Sequence, residues 1–480
     1  MLIAGCSAGD GSGAVKDTDG PVVGETSESA ESATPIEDDD GSTSAAQSST
    51  TAGEADASSD PSSPSDSSDP TDTSSPPKCL DGTVDEGEQC DDGNDVNGDG
   101  CNRDCQLSGQ LVWQTSLGSG LGQIDQAYDI APQPDGSALV TGYISADAEG
   151  SRDGWMGRYD SDGLLTWEVV LTGPGGANDE IRAVLTDGAG NVFASGYTSG
   201  PKGQRLDAWV GQYDLMGEPV WTQSYNGSDS LNDIFNTVAL DADGNVILGG
   251  YSQSPTSGND VFLRKLAADG SVLWSRVFPG PNGGTDLIWK LDVSPAGHIY
   301  AAGYQEGPDG EGRNSWLAKY DADGNEIWSR SFNGPESNND YLVGIAVLGE
   351  DDVVVSGYEE GNAIPWQVVV RRYDALGMTV WTDRYAGGSG EGAHAFGVEA
   401  DPEGAIVVTG GEILGKIRHV LVRKYDMAGA ELWTSIVPGG AAGPDYGREV
   451  TIGSAGEVWL AGAVDTGADD RDIWVGRFTP

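Results

Sequence analysis

The sequence is short of positive charge: 25 Lys and Arg stand against 77 Asp and Glu, a formal net charge of −52 over 480 residues. A surface of that sign repels phosphate backbones and anionic headgroups, which argues against nucleic acid as a partner. Histidine is scarcer still, and His298, His394 and His419 share no common spacing with the repeats described below, so they build no repeated site. The chain has no apolar run of the roughly 18 residues that a helical membrane span requires. It also lacks a Gly-x-Ser-x-Gly elbow and a His-Glu-x-x-His pair, the marks of two common hydrolase centres. What it has in quantity is Gly, 73 residues, and Trp, 14, a composition suited to short strands and tight turns.

At the N-terminus, Leu2-Ile3-Ala4-Gly5-Cys6 resembles a bacterial lipobox. The resemblance implies cleavage before Cys6, a diacylglycerol on its thiol, and export, with Ser7 favouring the outer membrane of a Gram-negative cell. The charged and most of the apolar part of a signal are missing ahead of it, as a start codon assigned too late would leave. Residues 7–78 are Ser, Thr, Asp, Glu, Ala, Gly and Pro with almost nothing apolar, so this linker is expected to stay extended.

Four cysteines then fall together: Cys79, Cys90, Cys101 and Cys105. The stretch Asp85-Glu86-Gly87-Glu88-Gln89-Cys90-Asp91-Asp92-Gly93-Asn94 resembles the Myxococcus-type cysteine-rich repeat of exported proteins. A module of residues 79–106 is too small for a core of its own. An even cysteine count in an exported chain points to two disulfides, in any of three pairings. Zinc is the weaker reading, for the paired C-x₂₋₄-C knuckles are missing. Asp91, Asp95 and Asp99 alternate as in a calcium loop without its closing Glu, and Asx-turns account for the same pattern.

From Gly109 the chain repeats itself. A Trp ends a short apolar strand at Trp113, Trp167, Trp221, Trp274, Trp328, Trp381 and Trp433, at intervals of 52 to 54 residues. Most are preceded by Tyr-Asp-x-x-Gly, in which Asp bonds its own backbone and Gly takes the left-handed position of a bulged hairpin. Two further strands precede each turn and one more lies upstream, giving four strands per repeat with no helical periodicity. That is a propeller blade, and residues 109–480 hold seven of them. The last repeat supplies three strands, ending at Ile473-Trp474-Val475-Gly476-Arg477-Phe478. Gly109-Gln110-Leu111-Val112-Trp113 is its expected fourth, which closes the ring; an open superhelix is the alternative. The repeat resembles the bacterial SBBP β-propeller family, whose members imply a fold and an exported or surface location more than an activity.

Twelve residues after six of the seven tryptophans stands an Asp: Asp125, Asp179, Asp233, Asp286, Asp340 and Asp445; the remaining repeat has Ala393. Preceding the innermost strand, they could form a cation-gathering ring at the channel mouth, or each could accept backbone N–H bonds in a turn. The tryptophans are expected between blades, Trp155, Trp209, Trp316 and Trp474 in a second such slot. Trp289 is the odd one, a candidate for stacking on a ligand. The blades are nearly equal in length, whereas an enzyme breaks its symmetry to build a site. A non-enzymatic binding platform for protein or polysaccharide, with no required cofactor, is therefore the preferred reading. An exported enzyme is the other, either polysaccharide-cleaving or, since Gly-x-x-x-Trp resembles the quinoprotein Trp motif, a quinoprotein-like oxidoreductase.

Overall fold

The computed structural model describes residues 82–480 with short interruptions, the longest at 439–444. Cys6, the linker and Cys79 lie outside the described residues. Among the described residues all regular structure is β, in seven antiparallel sheets of four strands, one of which gains a two-residue edge segment. Blades 1 to 6 span 126–171, 180–225, 233–278, 287–332, 340–385 and 393–437. Each is a meander running outward from the axis. Blade 7 takes its three inner strands from 446–478 and its outermost from Leu111–Leu117.

The ring closes as expected. Leu111–Leu117 pairs antiparallel with Asp470–Phe478, Trp113 opposite Arg477 and Ser116 opposite Trp474. The break in the chain at this point imitates an unbroken hairpin. In blade 1, Gly163 (φ 82°) ends the turn between the third and fourth strands and donates to Asp160 O at 3.0 Å. In blade 7, Gly109 (φ 68°) stands in that place and donates to Pro480 O at 3.1 Å across the gap.

The core is seven wedges rather than one centre, because each sheet buries both faces against its neighbours. One cluster joins Ala127, Val140 and Trp155 of blade 1 to Trp459, Ile473 and Val475 of blade 7. Another joins Ala346, Val354 and Val370 of blade 5 to Ala395, Val408 and Leu421 of blade 6. The repeated tryptophans of the outer strands clasp these wedges from outside. Trp113 lies so close over Gly163 that a Cβ there would come within 2.8 Å of its ring, and Trp433 covers Gly109 in the same way. Trp indole N–H groups donate into the next blade's turn, as Trp274 does to Ala322 O at 3.2 Å. The tryptophans are thus placed between blades, and so are Trp155, Trp209, Trp316 and Trp474, all buried.

The cysteine module rests on the closure seam. Cys90 and Cys101 are joined, with S–S 2.07 Å, and Cys105 is also disulfide-bonded. Leu107 O accepts from the Thr479 hydroxyl at 3.0 Å, tying the module's end to the last strand. Its acidic run is organised by Asx bonding. Asp91 accepts from Gly93 N–H at 2.9 Å and from Gly82 N–H at 3.1 Å, while Asp99 accepts from the Asn94 amide at 3.1 Å. Asp95 lies outside the described residues.

Candidate functional site at the mouth of the central channel

The six repeated aspartates are each engaged in a turn. Each is buried to 1% exposure or less in the connector that leads into its blade, and each binds backbone or a neighbouring hydroxyl. Asp179 accepts from Gly173 N–H at 2.6 Å and from Ser199 N–H at 2.5 Å, pinning the connector to the end of the second strand. Asp125 does the same with Ser119 and Ser145, both at 2.5 Å, and Asp286 with Gly280 and Glu306. Asp233 pairs with Gly227 N–H and the Ser252 hydroxyl, and Asp445 with Asp465 N–H. Their carboxylates are occupied by the turn, and among the described residues no three carboxylate, His or Cys side chains converge as a metal site.

Asp340 departs from the pattern. Glu360 N–H, which sits where Ser199 does in blade 2, donates instead to Asn339 O at 3.0 Å. Asp340 keeps Gly334 N–H at 2.5 Å, while its other oxygen is buried without a hydrogen bond. Burial, with Glu359 and Glu360 nearby, pushes its pKa up to about 7. Asp179→Asn leaves one of two N–H groups facing an amide NH₂, and is expected to cost about 1–3 kcal/mol. Asp340→Asn keeps its single acceptor and loses an unwelcome charge, so at pH 8 it is expected to leave stability unchanged or raised. Urea unfolding of the two variants checks this, and equal losses would contradict it.

Three residues beyond each of these positions the first strand carries a β-bulge. The ladder with the second strand skips Tyr128, Arg182, Asn236, Trp289, Val343, Arg448 and, in blade 6, Phe396 with Gly397. A bulged residue leaves the ladder and is re-aimed. Here all seven line one cavity at the axis, of about 30 Å³. That is room for about two waters, so the mouth is a shallow seat and not an open pore.

The seat's polar side chains are mostly paired. Arg152 and Arg182 share Glu180, each at 2.9 Å, and Arg182 also donates to the Asn236 carbonyl oxygen at 2.8 Å. Asn236 in turn donates to Ile288 O at 2.7 Å. Under the mouth, Lys290 of blade 4 reaches across the channel to Asp129 of blade 1 at 3.0 Å and Glu449 of blade 7 at 2.7 Å. Burial alone would lower the Lys290 pKa, but these two carboxylates outweigh it and hold the ammonium charged. Burial raises Glu449, Asp292 and Glu399, the last to about 8 with help from Asp292. Arg448 packs among rings from three blades. Its Cζ is 5.5 Å from the Tyr128 and Trp289 centroids and 5.1 Å from that of Phe396.

Trp289 was legible as an exception in the sequence; its six partners were not, since each is an ordinary residue in its own strand. Their common signal is position. This column varies from blade to blade, holding six residue types over seven repeats. Of the histidines, His298 bonds Asp351 of the next blade at 3.0 Å. His394 is buried beside Trp366, 4.5 Å between centroids, and burial with Arg418 keeps it neutral.

A family model described as a domain of unknown function, DUF4215, matches residues 69–106, the cysteine-rich segment. No curated protein sequence is similar to the chain. Among solved structures, Sqt1 from Chaetomium thermophilum is 14% identical with a TM-score of 0.42, over 74% of this chain and 83% of that one. Drosophila Plexin A, in complex with Semaphorin 1b, is 9% identical at 0.45, over 78% and 87%. The quinohemoprotein alcohol dehydrogenase ADHIIG from Pseudomonas putida HK5 is 12% identical at 0.44, over 77% and 76%. Likeness at this level carries nothing about function.

Proposed function

We propose that the chain is an exported binding platform, held at the cell surface by a lipid on Cys6, that offers the channel-mouth face of its propeller to a protein partner. The observation that supports this most is the contrast between scaffold and mouth. Connectors, clasps and wedges recur from blade to blade, whereas the seven bulged positions at the axis hold six residue types, only Arg occurring twice. Arg, Tyr, Trp and Phe gathered in one place are the residue types that dominate protein-recognition surfaces. The strand directions add a second support. Gly109 and Pro480 meet at the turn between the third and fourth strands of blade 7, the end of the blade opposite its bulged residue.

Anchoring and face are tested together in cells. With a complete signal placed ahead of Leu2, the protein is expected in the membrane fraction, and Cys6→Ser is expected to release it. A photo-crosslinking residue at Tyr251, beside the mouth, should then give a discrete adduct on intact cells, while one at the exposed Met216 on the opposite face should not. Membrane association unchanged by Cys6→Ser would refute the anchor. Adducts from Met216 alone would refute the face.

A further inference from the structure

We propose that the channel mouth is a carboxylate-binding seat, with Arg448 as its anchor and the terminal or side-chain carboxylate of an acidic peptide as its ligand. This builds on the assignment of the mouth as the binding face. Of the three cations that line the cavity, Arg182 and Lys290 are satisfied by Glu180, Asp129 and Glu449. Arg448 is not: among the described residues it has no carboxylate and no hydrogen-bond acceptor, only the three rings around it. Arg264 and Arg471 likewise show only a ring contact, but neither lines the cavity, so Arg448 is the cation there whose fork is left for a ligand. Its five N–H donors form a rigid fork matched to two oxygens of a planar anion.

The surroundings narrow the class further. Tyr128, Trp289 and Phe396 hold the guanidinium in place, so little side-chain freedom is lost on binding. The cavity of about 30 Å³ accommodates two oxygen atoms in place of two waters. Under it lie Asp129 and Glu449 on a single lysine, which leaves the floor negative and penalises a second charge on the ligand. A singly charged carboxylate fits this seat better than a doubly charged phosphate. A cation is repelled by Arg448 despite the aromatic walls.

The ligand must also approach a protein of net charge −52. That repulsion acts at long range and is screened as the Debye length falls from about 30 Å at 0.01 M salt to about 8 Å at 0.15 M. The short fork contact is screened far less. Affinity is therefore expected to rise with salt over this range, whereas a diffuse contact with surface cations weakens.

The test is isothermal titration of the full chain with two acetyl-capped uncharged hexapeptides, identical except that one ends in a free carboxylate and the other in an amide. Acetate and inorganic phosphate form separate arms. The carboxylate peptide is expected to bind at least about tenfold more tightly than the amide, which corresponds to about 1.4 kcal/mol. Arg448→Gln should abolish the difference, and Arg448→Lys, which keeps charge but loses the fork, should retain only part of it, both variants melting with the parent. Acetate binding as tightly as the peptide would uphold the seat and assign it to small carboxylates. Equal binding of both peptides, tighter binding of phosphate, binding that survives Arg448→Gln, or no binding of any probe would overturn it. Such a failure would leave the mouth-face adduct from Tyr251 intact, so the two readings fail separately.

Discussion

Deletion of residues 109–117 is expected to destroy the cooperative melting of the propeller and make it aggregate. The deletion removes the outermost strand of blade 7 and bares the edge of Asp470–Phe478, a ready template for pairing with another chain. It also takes Trp113 from the wedge between blades 7 and 1, where its ring meets Trp459 edge-on at 5.2 Å, and Leu111 and Leu117 from the two wedges on either side. Truncating one well-packed Trp costs about 3–5 kcal/mol. Losing three such side chains and a whole ladder approaches the entire stability of a typical domain, about 5–15 kcal/mol. Scanning calorimetry with light scattering reads the result, and the 109–117 peptide supplied in trans should restore part of it. A truncated protein that stays monomeric and melts with the parent would show that the seam does not hold the ring.

The second large effect is expected at Lys290. Changing it to Met strands Asp129 and Glu449 in the channel, near Asp292 and Glu399, with no cation between them. Breaking a buried pair on one side costs about 3–5 kcal/mol, which lowers the melting temperature by about 4–6 °C in a domain of this size. The loss should depend on pH in a set direction. Glu449, Asp292 and Glu399 already have folded pKa values above the ordinary carboxylate range, Glu399 at about 8. A raised pKa means that the folded state holds the proton more tightly than the unfolded one. Its stabilisation is complete below the unfolded pKa, near 4, and is lost as pH climbs towards 8. Lys290→Met should therefore be most harmful at pH 8 and partly recover by pH 5. Lys290→Met combined with Glu449→Gln should recover at both. A deficit that is flat with pH would place the role of Lys290 in packing instead of charge.

Much of the fold could be read from the chain because a propeller repeats its instructions. One Trp every 52 to 54 residues, with Tyr-Asp-x-x-Gly before it, marks strand order, turn type and blade count together. The final repeat, short by one strand, announced the closure. The same regularity left two readings of the aspartates open, a cation ring and a turn acceptor. A residue repeated six times is repeated for a task every blade shares, here tying a connector to its second strand. The proposed binding surface is where the blades differ. It sits on bulges, and a bulge is invisible in a strand whose alternation runs on through it. Nor could spacing show that Lys290 would meet Asp129, 161 positions away, since only ring closure brings blade 4 opposite blades 1 and 7.

The seam also sets how the molecule bears tension. A pull on the segment before the propeller arrives at the start of Leu111–Leu117, whose partner strand Asp470–Phe478 runs antiparallel to it. In that geometry the ladder's bonds would be loaded one after another, the weakest way to stress a sheet. The pull must first pass the Cys90–Cys101 loop, which the disulfide keeps from lengthening, and then the bond from Thr479 to Leu107. Gln110 N–H to the same hydroxyl at 2.9 Å, and Thr479 N–H to Gln110 O at 2.9 Å, share the load between both chain ends. The small module thus acts as a strain relief: force reaches both edges of the seam together, and the ring is pulled as a body instead of being peeled.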